Sequence, residues 1–352
     1  MFGRGGALVA AGLLVVATLT GCGASAKPAG SGLVSIGSGI SGPAGLRAEV
    51  YARGLPDVAA LTFDPQGRLW AAAAGLTDHA HDGVYLIARP GAHPVRVAGG
   101  LDDPLGLLWH QGRLYVASVG RVTEYSGLHG TRFAHQQTII SGPVAHGENN
   151  DLVRSPDGQF VMGITATCDH CVPQSKWSGS IVSFRPDGSD LRLYAARIRA
   201  PVGLDYFPGT SDLFVTMNQR DDLGARTPGD WLALVRPGTN WRFPGCYGQG
   251  GAACAGVPGP IAVLDKHAAV GSVVIVTGAL GPTVGDAALV SEWQTATVAR
   301  VALVRRGSGY SGSPSVWLRG LHNPLALVLG PAGSVLVGDW GTGIIYRIAR
   351  QT

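Results

Sequence analysis

Apolar and polar positions alternate in short runs along most of this chain, and the runs repeat. An apolar stretch, a glycine-containing turn and a second apolar stretch recur as LTFDPQGRLWAA from Leu61, LLWHQGRLYVAS from Leu107 and LVRSPDGQFVMGI from Leu152. Two further copies are LDYFPGTSDLFVTM from Leu204 and LVLGPAGSVLVGD from Leu327. Short period-two runs bounded by Gly, Pro, Asp and Asn predict strands joined by hairpin turns. The turn glycines Gly67, Gly112, Gly158, Gly209 and Gly333 lie 45, 46, 51 and 124 residues apart. The last interval holds two units, the degenerate copy being SVVIVTGALGPTVGDAALVSEW, Ser272 to Trp293.

A third strand follows each copy, as in GVYLIARP, GSIVSFRPDG or GIIYRIAR. A fourth ends in phrases such as VAGGLDDPLGL, YAARIRAPVGL or WLRGLHNPLAL. Four short strands per unit, repeated, is the pattern of a propeller blade. The chain stops at a third strand, Gly343 to Arg350, while an orphan fourth strand, Leu46 to Leu55, opens the domain. Pairing the two completes the last blade and removes an exposed edge. The expected fold is an all-β, six-bladed β-propeller over residues 45–352, its last blade closed by the N-terminal strand.

Composition agrees with that expectation. Of 352 residues, 54 are Gly and 22 are Pro, and charged residues make up only 14%, which favours tight turns over long helices. The formal charge of +4 is spread thinly, with no basic run to follow a phosphate backbone, so no nucleic-acid partner is expected.

The N-terminus carries its own chemistry. A basic start at Met1 to Arg4, an apolar run from Ala7 to Leu19 and the small residues before Cys22 predict an export signal over residues 1–21. LTGC resembles the bacterial lipoprotein box, which makes Cys22 the lipidated first residue, anchored at the extracytoplasmic face of the membrane. Residues 22–44, rich in Gly, Ser, Ala and Pro, are expected to form a flexible tether. Export places the other cysteines in an oxidising compartment. They fall as Cys168 with Cys171 and Cys246 with Cys254, a spacing that suits two local disulfides better than a four-thiolate zinc site.

In a propeller the links between blades converge at one mouth. Here they carry Asp57, Asp102 and Asp103, then His146, Glu148, Asn149 and Asn150, then Arg199, Lys266 with His267, and His322 with Asn323. The same face receives Asp78, His79, His81 and Asp82, the CDHC loop, Met217 to Gly224, and Trp340. Asp57, Asp102 and Asn323 also suit turns and strand entrances, and Lys266 and His267 also suit caps or ion pairs. His79 and His81 belong to a loop that is either solvated or metal-binding. His146 is the leading candidate for chemistry, since an imidazole titrates where proton abstraction near neutral pH needs it.

The stretch RIRAPVGLDYFPGTSDLFVTMNQRDDLGARTPGDW, Arg197 to Trp231, resembles the glucose/sorbosone dehydrogenase family. So do HGENNDLVRSPDG, CDHC, GSIVSFRPDGSDLR, CYG and LDKHAAV. Members are six-bladed, exported quinoproteins that use pyrroloquinoline quinone to oxidise aldoses or sugar aldehydes at C1. The resemblance implies that His146 is the general base and that Arg199 and Lys266 hold the cofactor, with His267 and Asn149 beside them. It also implies calcium at Asp221 and Asp222, a sugar substrate, and an external electron acceptor that the sequence does not name. Three positions depart from the family pattern. Ala200 stands for an asparagine, Ala225 with Arg226 for an acidic pair, and SEWQTATVARV carries no match to the arginines that clamp the quinone. Two other readings are a propeller that binds a sugar or a protein without catalysis, and a calcium-dependent lactonase-like hydrolase using Asp57, Asn149 and Asn218.

Overall fold

In the structure, a computed structural model, residues 32–142 and 147–351 are described. Cys22 and His146 lie outside the described residues. Six antiparallel sheets of four strands follow one another along the chain, and the third adds a short parallel strand, Thr239–Asn240. The opening strands of blades 1 to 6 are Val58–Phe63, Gly106–His110, Asn149–Arg154, Ala200–Tyr206, Val270–Thr277 and Pro324–Leu329. Each packs beside the opening strand of the next blade, and the sixth beside the first, so these six strands form a closed inner ring. That is the predicted six-bladed propeller.

The turns follow from their residues. In blade 1 the Asp64 carboxylate accepts the Gln66 and Arg68 amides and the Trp70 indole N–H, fixing the DPQG hairpin. In blade 2 Gln111 and Gly112 both take positive φ, at 49° and 77°, as a two-residue hairpin of primed type requires. The degenerate copy pairs Val270–Thr277 with Asp286–Glu292 across a longer turn, Gly278 to Gly285.

Apolar residues from the strands fill the seams between blades. Each of six clusters joins two consecutive blades, with Trp70 buried between blades 1 and 2 and Trp317 between blades 5 and 6. The last blade closes as expected, because Leu46–Arg53 pairs antiparallel with Ile344–Arg350. Both predicted disulfides form, with Cα separations of 5.9 Å for Cys168–Cys171 and 5.0 Å for Cys246–Cys254, within the range such bridges span.

One expectation needs correction. Residues 34–42, assigned above to a flexible tether, form a hairpin of Val34–Gly37 and Ile40–Gly42. Ile36 and Ile40 are buried in the seam of blades 5 and 6, and Ser41 exchanges two backbone hydrogen bonds with Arg319. Positive φ at Gly37, Ser38 and Gly39 makes the reversal. Two isoleucines among small residues are a weak apolar signal, yet they suffice where a seam is ready to receive them.

The inner ring also carries two acidic staples. The Asp151 carboxylate accepts the Leu204 amide, joining blades 3 and 4, and Asp205 accepts the Ile275 amide at 2.7 Å, joining blades 4 and 5. Burial pushes Asp151 up to about 6 and Asp205 to about 7, the latter also raised by the charge of Asp151. The folded state therefore binds these protons more tightly than the unfolded chain does. Their stabilisation is complete below the ordinary carboxylate value of 3.8 and is lost as pH rises through 6 to 7. Asp205→Asn keeps an acceptor for Ile275 and removes the charge. It should raise the thermal midpoint by a few degrees at pH 8, by less at pH 5 and hardly at all below the unfolded carboxylate value of 3.8, as melting curves across that range would show.

A candidate active site at the mouth of the ring

Several of the described link residues have unusual backbones. Asp57, Asp103, Arg197, His267 and Ala269 all take positive φ, between 44° and 61°, a conformation that costs non-glycine residues energy and clusters at functional sites. At the link into blade 3, a Cβ on Gly147 would lie 2.0 Å from the Thr165 carbonyl oxygen. Only glycine lets the chain leave His146 and enter the strand there.

Two cavities share this face. The central one, about 410 Å³, is lined from all six blades, by Leu76, Asp103, Glu148, Asn218, Trp293 and Trp340 among others. Its neighbour, about 470 Å³, runs along Thr165 to Asp169 to Arg199 and Ala200. Glu148, Val202 and Asn218 belong to both.

Arg199 lines the second lobe, and its side chain is 17% exposed. Its guanidinium is ion-paired with Asp169 and donates to the Asp169 and Asn218 carbonyls at 3.3 and 3.4 Å. Asp169 is the hub of this region. Besides Arg199 it accepts the amides of Asp221 and Asp222, at 3.0 and 2.9 Å, and so ties the CDHC loop of blade 3 to the upper loop of blade 4.

Five other assigned residues are engaged elsewhere in this structure. Asn149 is fully buried and donates to the Ser118 carbonyl between blades 2 and 3; alternation along the strand puts Asn150 in the cavity wall instead. Lys266 donates to the Ala225 carbonyl, and His267 bridges Asp221 at 2.9 Å and the Gly224 carbonyl at 3.2 Å. Both brace the blade 4 loop and neither lines a lobe. Asp221 and Asp222 do not converge on a cation site. Asp221 faces His267, and Asp222 is paired with Arg220, whose guanidinium holds its carboxyl down to about 2.

In the lactonase-like set, both asparagines use Nδ2 between blades and leave Oδ1 without a partner among the described residues. Asp57 faces the loop around Gly75, Asn149 serves the seam of blades 2 and 3, and Asn218 donates to the Val270 carbonyl across blades 4 and 5.

The compact acidic group among the described residues is His79, Asp82, Asp102 and Asp103, with ligand atoms within 4.8 Å of one another. Its bonds are largely internal. Asp82, 1% exposed, accepts the Gly75 and Asp103 amides and holds His79 Nδ1 at 2.9 Å. That hydrogen bond raises the affinity of His79 for its proton. Burial pushes Asp103 up to about 6, against the opposing charge of His79 and with help from Asp82, Asp102 and Glu148.

Sequence reasoning placed Trp340 at this face but did not find Trp293 beside it. Trp293 and Trp340 meet edge to face, ring centroids 5.6 Å apart, and Trp340 donates its indole N–H to the Ala74 carbonyl across blades 6 and 1. The signal was present as LVSEW and LVGDW, two equivalent strand ends each followed by tryptophan.

No protein-family model matches the chain, and no curated protein is similar to it in sequence. Solved structures are similar in fold. The pyrroloquinoline quinone domain of pyranose dehydrogenase from Coprinopsis cinerea, in its holo form, aligns with a TM-score of 0.72 at 15% identity, over 88% of this chain and 97% of that one. An oxidoreductase of Thermus thermophilus described as a glucose dehydrogenase gives 0.70 at 19%, over 86% and 100%. The quinone-bound aldose sugar dehydrogenase of Streptomyces coelicolor gives 0.68 at 17%, over 88% and 99%. Along nearly its whole described length, this chain has the fold of these sugar dehydrogenases.

Proposed function

We propose that the chain is an exported, lipid-anchored quinoprotein that oxidises the C1 hydroxyl of an aldose. One observation carries the reading: a cavity fed by all six blades, walled by Trp293 and Trp340, opens beside the lobe that holds Arg199. The fold shared along full length with sugar dehydrogenases supports it.

The residues present fit pyrroloquinoline quinone in shape and in part in charge. Lobes of about 470 and 410 Å³ are of the size that takes a cofactor and a sugar. Arg199 offers a guanidinium to a carboxylate, and Asn218 Oδ1, at the junction of the lobes, has no partner among the described residues. Along the described lining of both lobes, Arg199 is the one cation against Asp103, Glu148 and Asp169. A tricarboxylate therefore needs a further cation, and the calcium implied by the resemblance would supply it from ligands other than Asp221 and Asp222.

When bound, the quinone supplies a two-electron acceptor for the hydride leaving C1. The chain does the rest. His146, two residues before Glu148, takes the C1 hydroxyl proton, and the aldose becomes a lactone. Glu148 and Asp103 accept hydroxyl hydrogens, and the tryptophans cover an apolar sugar face and exclude water.

Arg199→Ala should weaken quinone binding, followed by absorbance on titration, by about 10- to 100-fold, as loss of a charge-assisted hydrogen bond implies. Unchanged affinity would remove Arg199 from the cofactor site. For the anchor, the mature protein should carry a diacylglycerol mass on Cys22 that Cys22→Ser lacks; an unmodified wild-type N-terminus would remove the lipid from the account.

A further inference from the structure

The described lining of the central cavity carries carboxylates and no cation. Asp103 and Glu148 come from neighbouring links, and each lies within reach of the other's charge. The opposite side is the edge-to-face pair of Trp293 and Trp340. The Trp340 indole N–H is engaged with Ala74, which fixes that ring. Between them sits Asn150, 2% exposed, which lines the same cavity. Its Nδ2 donates to the Glu148 carbonyl, while Asn218, which lines the same cavity, leaves its Oδ1 without a partner among the described residues.

Each of these features asks for the same kind of ligand. Aromatic faces attract cations through the ring quadrupole and pack against the apolar face of a sugar ring. Paired carboxylates repel one another unless a positive charge lies between them. A bare amide oxygen takes a hydroxyl or an ammonium hydrogen. Outside the lining, the His79 ring stands 3.5 Å from Asp103 and is held by Asp82.

We infer that the central cavity selects amino sugars, the substrate being a 2-amino-2-deoxy-aldose whose ammonium group sits between Asp103 and Glu148 with its ring on Trp293 and Trp340. This rests on the reading of the site as a sugar-binding one and narrows its substrate class. The ammonium lies on the carbon next to C1, so binding it places the oxidised carbon beside the junction of the two lobes. A neutral aldose has the same ring and loses the charge contacts, and N-acetylation removes the charge and adds bulk.

The test needs no quinone. Tryptophan fluorescence of the cofactor-free protein is titrated with glucosamine, glucose and N-acetylglucosamine at about pH 7, above the value of about 6 to which burial pushes Asp103. Glucosamine should bind at least about tenfold more tightly than either neutral sugar, as loss of charged hydrogen bonds implies. Glu148→Gln should remove most of that preference, and Asp103→Asn with Glu148→Gln all of it. Glu148 is exposed and Asp103 has positive φ, a conformation that Asn tolerates, so both variants should fold, which a melting curve checks. Equal affinity for the three sugars, or a preference that survives the double substitution, would overturn the inference. Glucose-dependent turnover of quinone-loaded protein without any amino-sugar preference would sink this inference alone. Amino-sugar binding without quinone-dependent turnover would sink the dehydrogenase reading and leave this one standing.

Discussion

Under the proposed function, His146→Ala should lower sugar-dependent dye reduction by the quinone-loaded protein about 10²- to 10⁴-fold, the range a positioned general base contributes. Hydride cannot leave C1 until the hydroxyl proton has a destination. The described part of the link into blade 3 is tightly fixed: Gly147 admits no side chain against Thr165, and Glu148 donates its amide to the Thr165 hydroxyl. The loss should fall on kcat more than on KM, because the proton moves in the chemical step. Free imidazole should restore part of the rate to the alanine variant. Turnover undiminished in His146→Ala would move the base elsewhere, and Glu148 would be the next residue to replace.

The second large effect is on folding. Deleting Leu46–Arg53 removes the strand that closes blade 6, with Leu46, Ala48, Tyr51 and Ala52 all 5% exposed or less. These side chains belong to both flanking seams, Leu46 and Ala48 to that of blades 5 and 6, Tyr51 and Ala52 to that of blades 6 and 1. Burial of a large apolar side chain is worth about 1.5–3 kcal/mol, and a whole domain is stable by about 5–15 kcal/mol. The deletion also bares the edge of Ile344–Arg350 to self-pairing. The truncated chain should therefore aggregate or lose its cooperative melting transition. Moving residues 45–53 to follow Gln351 should restore it, because Gln351 already donates to the Gly45 carbonyl and Leu46 pairs with Arg350. A truncated chain that melts cooperatively near the parent temperature would show that the ring does not depend on this closure.

The architecture was legible because it is periodic. Each blade repeats a turn whose glycine and proline punctuate alternating strands, so the count, the spacing and the open ends specified six blades and their closure. The hairpin at residues 34–42 escaped notice because only Ile36 and Ile40 distinguish it from a linker. At the mouth, loop membership was readable but side-chain direction was not. Asn149 and Asn150 are adjacent in sequence and face opposite ways. Asp221 and Asp222 looked like ligands until their partners, His267 and Arg220, were in place. The tryptophan wall depends on equivalent strand ends in two blades, which a search for polar residues passes over.

The most direct test of the account is to load the purified protein with pyrroloquinoline quinone and calcium, remove excess by gel filtration, and add aldoses with a redox dye. The account predicts quinone absorbance that travels with the protein and dye reduction that requires both quinone and sugar. Protein that elutes free of quinone, with no sugar-dependent reduction under any loading, would contradict it.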